Sequence, residues 1–223
     1  MSSFLQVPYM LSKSQIPFIP GPTSRFEING PPLMFKEVAR SSPELLVLLE
    51  LSHPELRQDP WNPVPHILKA IERDDRVYLC MQGLSDYDDP PFVTIVQYLD
   101  FCRQVLEARS NFLLNHVTLM SYEQGLTFLH EKRVTGLNCS EPSSYMVDLS
   151  SAPRPVPSTK EVIPSFDRFS YPVRYYFVNF SKASRMPAGV VDGGSPYKKD
   201  VKECGVLFDR IILHVCIVIH LST

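Results

Sequence analysis

Hydrophobic and polar positions along the chain follow two rhythms, and each predicts its own kind of element. Residues 1–34 carry frequent prolines and few periodic positions, which predicts an extended arm whose one regular piece is an edge strand at LMFKEV, Leu33–Val38. Ser41-Ser42-Pro43-Glu44 then places serine before proline and an acid in the first turn, a helix start. Leu45, Leu46, Leu48, Leu49 and Leu51 continue that helix until His53-Pro54 stops it. Two β-rich runs, Val64–Ile71 and Val77–Met81, flank Arg73-Asp74-Asp75 and predict a hairpin. After an acidic turn at Ser85–Pro91, Thr94–Leu106 puts Ile95, Tyr98, Leu99, Cys102, Val105 and Leu106 on one helical face. A second helical piece spans Tyr122–Glu131. Pro142–Tyr171 is rich in Pro and Ser and predicts loop, PVRYYFVNF predicts a strand, and Met186–Tyr197 predicts loop again. Asp200–Leu213 predicts a helix with Val201, Val206, Leu207 and Ile211 on one side.

Composition narrows the class. The 223 residues are 44% hydrophobic, enough for a buried core, and the formal net charge of −2 offers no basic field for a phosphate backbone, so nucleic acid is not an expected partner. Proline outnumbers glycine 21 to 9 against average usage of about 5% and about 7%, which predicts rigid, irregular connections. The cysteines Cys80, Cys102, Cys139, Cys204 and Cys216 form an odd set without a CxxC pair, fitting neither a disulfide framework nor a zinc knuckle and pointing to a reduced, cytoplasmic protein. MSSFLQVPYMLSKSQIPF lacks the basic start and continuous apolar stretch of a secretory signal. IILHVCIVIHL, Ile211–Leu221, falls short of the roughly 20 apolar residues of a membrane helix, so no membrane partner is expected and a buried strand or helix is.

Three longer words carry a resemblance. YDDPPF (Tyr87–Phe92), GLTFLHEKRV (Gly125–Val134) followed by NCSEP, and VRYYFVNFSKASR (Val173–Arg185) resemble a group of protein-kinase-like proteins from mushroom-forming fungi. There the corresponding words read GLxFLHEHxVAHRDCS, followed by NIMMD, and VxYYxIDFGxS. The resemblance spans roughly Leu33–Leu213 and implies an α+β protein-kinase-like fold, with a small β-rich N-lobe and an incomplete, mainly helical C-lobe. It divides the chain into an irregular Pro-rich arm (1–32), a partial kinase-like domain (33–213) and an apolar tail (214–223).

The resemblance also assigns roles to positions. Val134–Asn138 falls where the family has Val-Ala-His-Arg-Asp, so Asn138 takes the place of the proton-accepting Asp. The metal-binding Asn falls at Ser143, or at Ser144 if SSYMVD carries one extra residue. Asn179-Phe180-Ser181 replaces Asp-Phe-Gly. Lys36 matches the phosphate-binding lysine, with Glu44 or, by the closer register, Leu46 as its helix partner, and Asp200 matches the buried Asp of the large-lobe helix.

Phosphoryl transfer is mostly positioning plus neutralisation of charge by magnesium held on an Asp and an Asn. Asn179 offers a neutral amide where a carboxylate is needed. Asn138 cannot take up a proton, and a general base is worth roughly 10²- to 10⁴-fold in rate. Gly136 removes the imidazole that braces the loop in the family, and upstream of Lys36 the only glycines, Gly21 and Gly30, make no phosphate-covering loop. The expectation is a catalytically inactive, pseudokinase-like module that binds an unidentified protein partner, with no metal site and no cofactor, ATP and magnesium entering only if residual binding survives. The alternatives are a weakly active ATP-dependent Ser/Thr kinase and a non-functional truncated product.

Without the resemblance the same residues read more plainly: Lys36 as a solvated edge-strand lysine, Asn138 and Asn179 as turn residues. His130 reads as structural, His214 and His220 as core or surface histidines, Asp86, Asp88 and Asp89 as a solvated turn, and Cys139 as an unreactive thiol in an exposed loop. Finally, the family runs from QxLE straight into GLxFLHE, whereas here the 17 residues Ala108–Gln124 intervene. They are expected to be an insertion inside a helix.

Overall fold

The computed structural model describes residues 24–26, 33–106, 125–151, 168, 170–171, 173–187 and 196–221, and for 24–26 and 214–221 the backbone alone. It is a mixed α and β structure with small antiparallel sheets. Four strands, β1 (Ser24–Phe26), β2 (Leu33–Ala39), β3 (Ile67–Arg73) and β4 (Arg76–Gln82), form a sheet in the order β1-β2-β4-β3. The predicted β3–β4 hairpin forms around Asp74, whose φ of 56° is a left-handed position that Asp tolerates. LMFKEV is not an edge, because β1 pairs with its outer side and β4 with its inner side. Three residues of β1 are too few to show a period inside a Pro-rich arm.

Helix α1 (Pro43–Leu51) starts as predicted: the Ser42 hydroxyl accepts the Glu44 N–H at 3.2 Å and Pro43 opens the first turn. Its buried face is Leu45, Val47, Leu48 and Leu51, while Leu46 is 69% exposed. A single turn, α2 (Pro54–Arg57), follows. The buried Asn62 amide then donates to the Leu51 and Leu56 carbonyls at 2.6 and 3.1 Å, tying the Pro-rich connection to both helix ends.

Beyond β5 (Ser85–Asp86) come α3 (Ile95–Leu106), α4 (Leu126–Glu131), β6 (Val134–Thr135), β7 (Tyr145–Asp148), β8 (Arg174–Phe177), β9 (Ser184–Arg185) and α5 (Pro196–Leu221). β5-β7-β8 and β6-β9 make two further small sheets. YMVD, predicted as loop, is the central strand β7. Its flanking prolines and serines outweigh four residues in any composition window, yet Tyr145, Met146 and Val147 are all buried. In α3 the stripe turns on Phe101, fully buried among the rings of Tyr87, Phe92, Tyr145 and Tyr175 at 4.9–5.8 Å. Leu99 and Ile95, predicted inside, are exposed. In α5 the buried stripe is Asp200, Cys204, Leu207 and Ile211, with Val201 and Val206 outside, because a buried carboxylate and thiol hide the period from any hydrophobic count. The helix continues unbroken to Leu221. Among the described residues, no helix is long and apolar enough to cross a membrane.

Residues 108–124 lie outside the described residues, but their flanks meet. The Thr127 hydroxyl donates to the Leu106 carbonyl at 3.1 Å. Gly125, at φ 72°, lies so close to the end of α3 that a methyl there would run into the Val105 carbonyl. If Glu107 were joined directly to Gly125, Thr127 would stand four residues after Leu106, the helical partner of that carbonyl. The buried Phe101, Val105, Leu126 and Leu129 would then follow one another at spacings of four, four and three along one stripe. Deleting Ala108–Gln124 is therefore expected to leave a cooperative unfolding transition and to raise stability by about 1–3 kcal/mol through the closure entropy removed. Urea denaturation followed by circular dichroism measures this, and loss of the cooperative transition would refute the single-helix register.

Candidate functional site

The site is built on α5. Asp200, with no exposed surface, accepts the Leu137 N–H on Oδ1 at 3.0 Å and the Gly136 N–H on Oδ2 at 3.2 Å, and the ring of His130 meets Oδ2 at 3.1 Å. The carboxylate thereby sets the turn that leaves β6. Gly136 adopts φ 70°, and a Cβ there would stand 2.8 Å from the Lys182 carbonyl oxygen, so this turn needs glycine. His130 also packs against the Tyr197 ring, tilted, with the centroids 4.6 Å apart, the structural role expected of it. The next residue of the loop, Asn138, is held through its own carbonyl, which accepts the buried Ser144 hydroxyl at 2.7 Å.

From the other side, β8 ends where Val178 donates to the Ser144 carbonyl at 2.9 Å, and this delivers Asn179 opposite Asn138. The Asn138 amide donates to Asn179 Oδ1 at 3.1 Å and to Ser181 Oγ at 2.8 Å, and the Ser181 hydroxyl donates to Asn179 Oδ1 at 2.8 Å. Three neutral groups close a ring of hydrogen bonds. Lys36 reaches the same place from β2, donating to Glu44 Oε1 at 2.6 Å and to the Val178 carbonyl at 2.7 Å. Glu44 Oε1 also accepts the Phe180 N–H at 2.8 Å, so one carboxylate joins β2, α1 and the segment after Asn179.

The structure thus brings Lys36, Asn138 and Asn179 together, and Lys36 is no solvated edge lysine, with its side chain only 15% exposed. Glu44 is its helix partner, and Leu46 faces solvent. Ser143 is exposed on the 3-10 turn Pro142–Ser144, whereas Ser144 turns inward to the Asn138 loop. Cys139 lies in the core and not in an exposed loop. Asp86, Asp88 and Asp89 are exposed, as a solvated turn requires, and the side chains of His214 and His220 lie outside those described. Among the described residues, no group of three or more His, Cys, Asp and Glu side chains is placed to hold a metal.

Two arginines escape a reading of the sequence. Arg185 donates to the Lys132 carbonyl at 2.8 Å and pairs with Glu50 of α1, fastening the segment after Asn179 to that helix. Arg168 is buried, donates to the Tyr175 hydroxyl at 2.8 Å and to the Pro90 carbonyl, and lies 4.8 Å over the Phe92 ring. Neither has a sequence signal, since each depends on partners distant in the chain.

Immediately before β3, burial and the cations Arg57 and Arg174 hold His66 below its ordinary pKa. Its folded value lies under the unfolded one near 6.5, so the unfolded chain takes up the proton first as pH falls. Stability is expected to decline below about pH 6.5, and His66→Gln is expected to flatten that decline in denaturation midpoints measured between pH 5 and 7.5. An unchanged pH slope in the variant would exclude His66 as its source.

No family model matches the chain, and no curated protein matches it.

Proposed function

We propose that the chain is a protein-kinase-like module that does not transfer phosphate and acts by binding a protein partner. The observation that carries this reading is the closed ring of Asn138, Asn179 and Ser181. At the positions where the resemblance expects a proton acceptor and a metal-binding carboxylate, two neutral amides satisfy one another, so the loop and the strand are joined without a cation. Support for the fold comes from the order β1-β2-β4-β3, from the Lys36–Glu44 pair and from Asp200 beneath the Asn138 loop. A second reading, weak ATP-dependent transfer, is favoured by Lys36, which has three donors and, among the described residues, uses two of them.

A thermal-shift titration of the full chain with ATP, with and without Mg²⁺ or Mn²⁺, separates the readings. The expected outcome is one cooperative melt that no metal–nucleotide combination moves, with no radiolabel transferred from γ-labelled ATP. A metal-dependent shift accompanied by transfer would replace the first reading with the second, and the absence of any cooperative melt would remove both.

A further inference from the structure

Helix α5 turns two unlike faces in opposite directions. Asp200, Cys204, Leu207 and Ile211 are buried, whereas Lys198, Lys202, Gly205 and Asp209 follow one another along the other side at helical spacing, all of them exposed. Val206 and Leu213 border that line and are 45% and 65% exposed. Gly205 stands inside the helix, where glycine is less favourable than alanine. Yet a methyl group on it would meet nothing within 4 Å beyond its own stretch of helix, so the chain's own packing does not call for glycine there. It leaves an open notch on the exposed side. Lys199 pairs with Glu203 at 3.8 Å, while Lys198, Lys202 and Asp209 stand in no ion pair among the described residues.

We propose that this face of α5 is the interface of a two-fold homodimer, in which the helices of two copies cross antiparallel with the dyad between residues 205 and 206. Counted outward from the dyad in opposite directions, Val206 of one copy enters the notch over Gly205 of the other, and Lys202 meets Asp209. The alkyl stem of Lys198 covers Leu213 in the same register. Each contact occurs twice, as a two-fold axis requires. A second copy is the occupant because the face is complementary to itself: the cation, the acid, the branched side chain and the notch each stand where the symmetry brings their complement. A parallel pair would set Lys202 against Lys202 and Asp209 against Asp209, so charge selects the antiparallel one. The inference goes beyond the function proposed above and rests on α5 alone, so it stands or falls apart from any test of phosphate transfer. One pair of crossing helices is a small interface, and association is expected at about 1–100 μM.

Sedimentation velocity of the full chain across that concentration range tests the proposal, with a reversible passage from monomer to dimer expected. Lys202→Glu and Asp209→Lys each place two like-charged pairs across the dyad and are expected to weaken the dimer at least about tenfold. Combined in one chain they exchange the charges, and the dimer is expected to return to within about threefold of its original strength. Gly205→Leu fills the notch and is expected to weaken the dimer as much, while leaving the melting temperature of the dilute monomer unchanged or higher. The unaltered chain decides the register even where a variant fails to fold. Carbodiimide treatment of mixed heavy-isotope and light-isotope chains is expected to give an amide between Lys202 of one label and Asp209 of the other. A chain that stays monomeric throughout, a dimer indifferent to the charge reversals, reversals that the exchange does not repair, or cross-links between copies at other residues alone overturns the proposal.

Discussion

The Asp200→Ala variant is expected to lose about 3–5 kcal/mol of stability, enough to unfold a chain of ordinary stability at moderate temperature. Asp200 is fully buried and accepts two backbone N–H groups that no water can reach, so its removal orphans both donors at about 1–3 kcal/mol each. Asp200→Asn is expected to do nearly as much damage. One N–H meets Oδ1 and the other Oδ2, so an amide must turn its own NH₂ against one of the donors. Urea denaturation followed by fluorescence measures both variants, and a loss below about 1 kcal/mol in either would mean that the turn before Asn138 holds without the carboxylate.

The parts of the fold that sequence made legible are those whose signal is local. The Ser42 cap, the Pro43 start and the Asp74-Asp75 turn all act within a few residues, and α1 and the β3–β4 hairpin form where those signals stand. What failed depends on distant partners. Leu46 and Leu99 are as hydrophobic as their buried neighbours, and only the packing of α1 and α3 against other elements decides that Val47 and Phe101 go inside. β7 is buried because β5 and β8 enclose it from both sides, a fact no window around Tyr145 contains.

The site divides along the same line. The candidate positions Lys36, Asn138, Asn179 and Asp200 were legible in the sequence on the resemblance alone. Their interactions were not: the choice of Glu44 over Leu46 follows from where α1 packs, and the inward turn of Ser144 in place of Ser143 follows from the entry into β7. Gly136 gains a meaning from the structure that substitution logic alone misses. It is where the resemblance expects an imidazole, yet its φ of 70° and the Lys182 carbonyl leave no room for a side chain, so the turn is built for the residue it has.

Replacing both amides by carboxylates, Asn138→Asp with Asn179→Asp, is expected to lower stability at pH 7 in chelator by about 2–4 kcal/mol, and to do so non-additively. The two side chains are 3.1 Å apart and Asn138 is only 5% exposed, so the hydrogen bond between them becomes a repulsion between two acceptors. Asn138→Asp alone is expected to cost less than about 1 kcal/mol, because the Ser181 hydroxyl and the Asn179 amide can turn to donate to it. In the double variant one carboxyl of the pair holds its proton to a higher pH in the folded state than in the unfolded one. Stability is then fully present below the unfolded value near 3.9 and is lost as pH rises through the folded one. A dication opposes that loss: tenfold more Mg²⁺ or Mn²⁺ than its dissociation constant restores about 1.4 kcal/mol. The neutral ring of the unaltered chain offers the metal no such linkage. A double variant as stable as the parent at pH 7, or one whose loss is the sum of the single changes and indifferent to metal, would separate Asn138 from Asn179. It would leave the ring of amides without a part in the function proposed for this site.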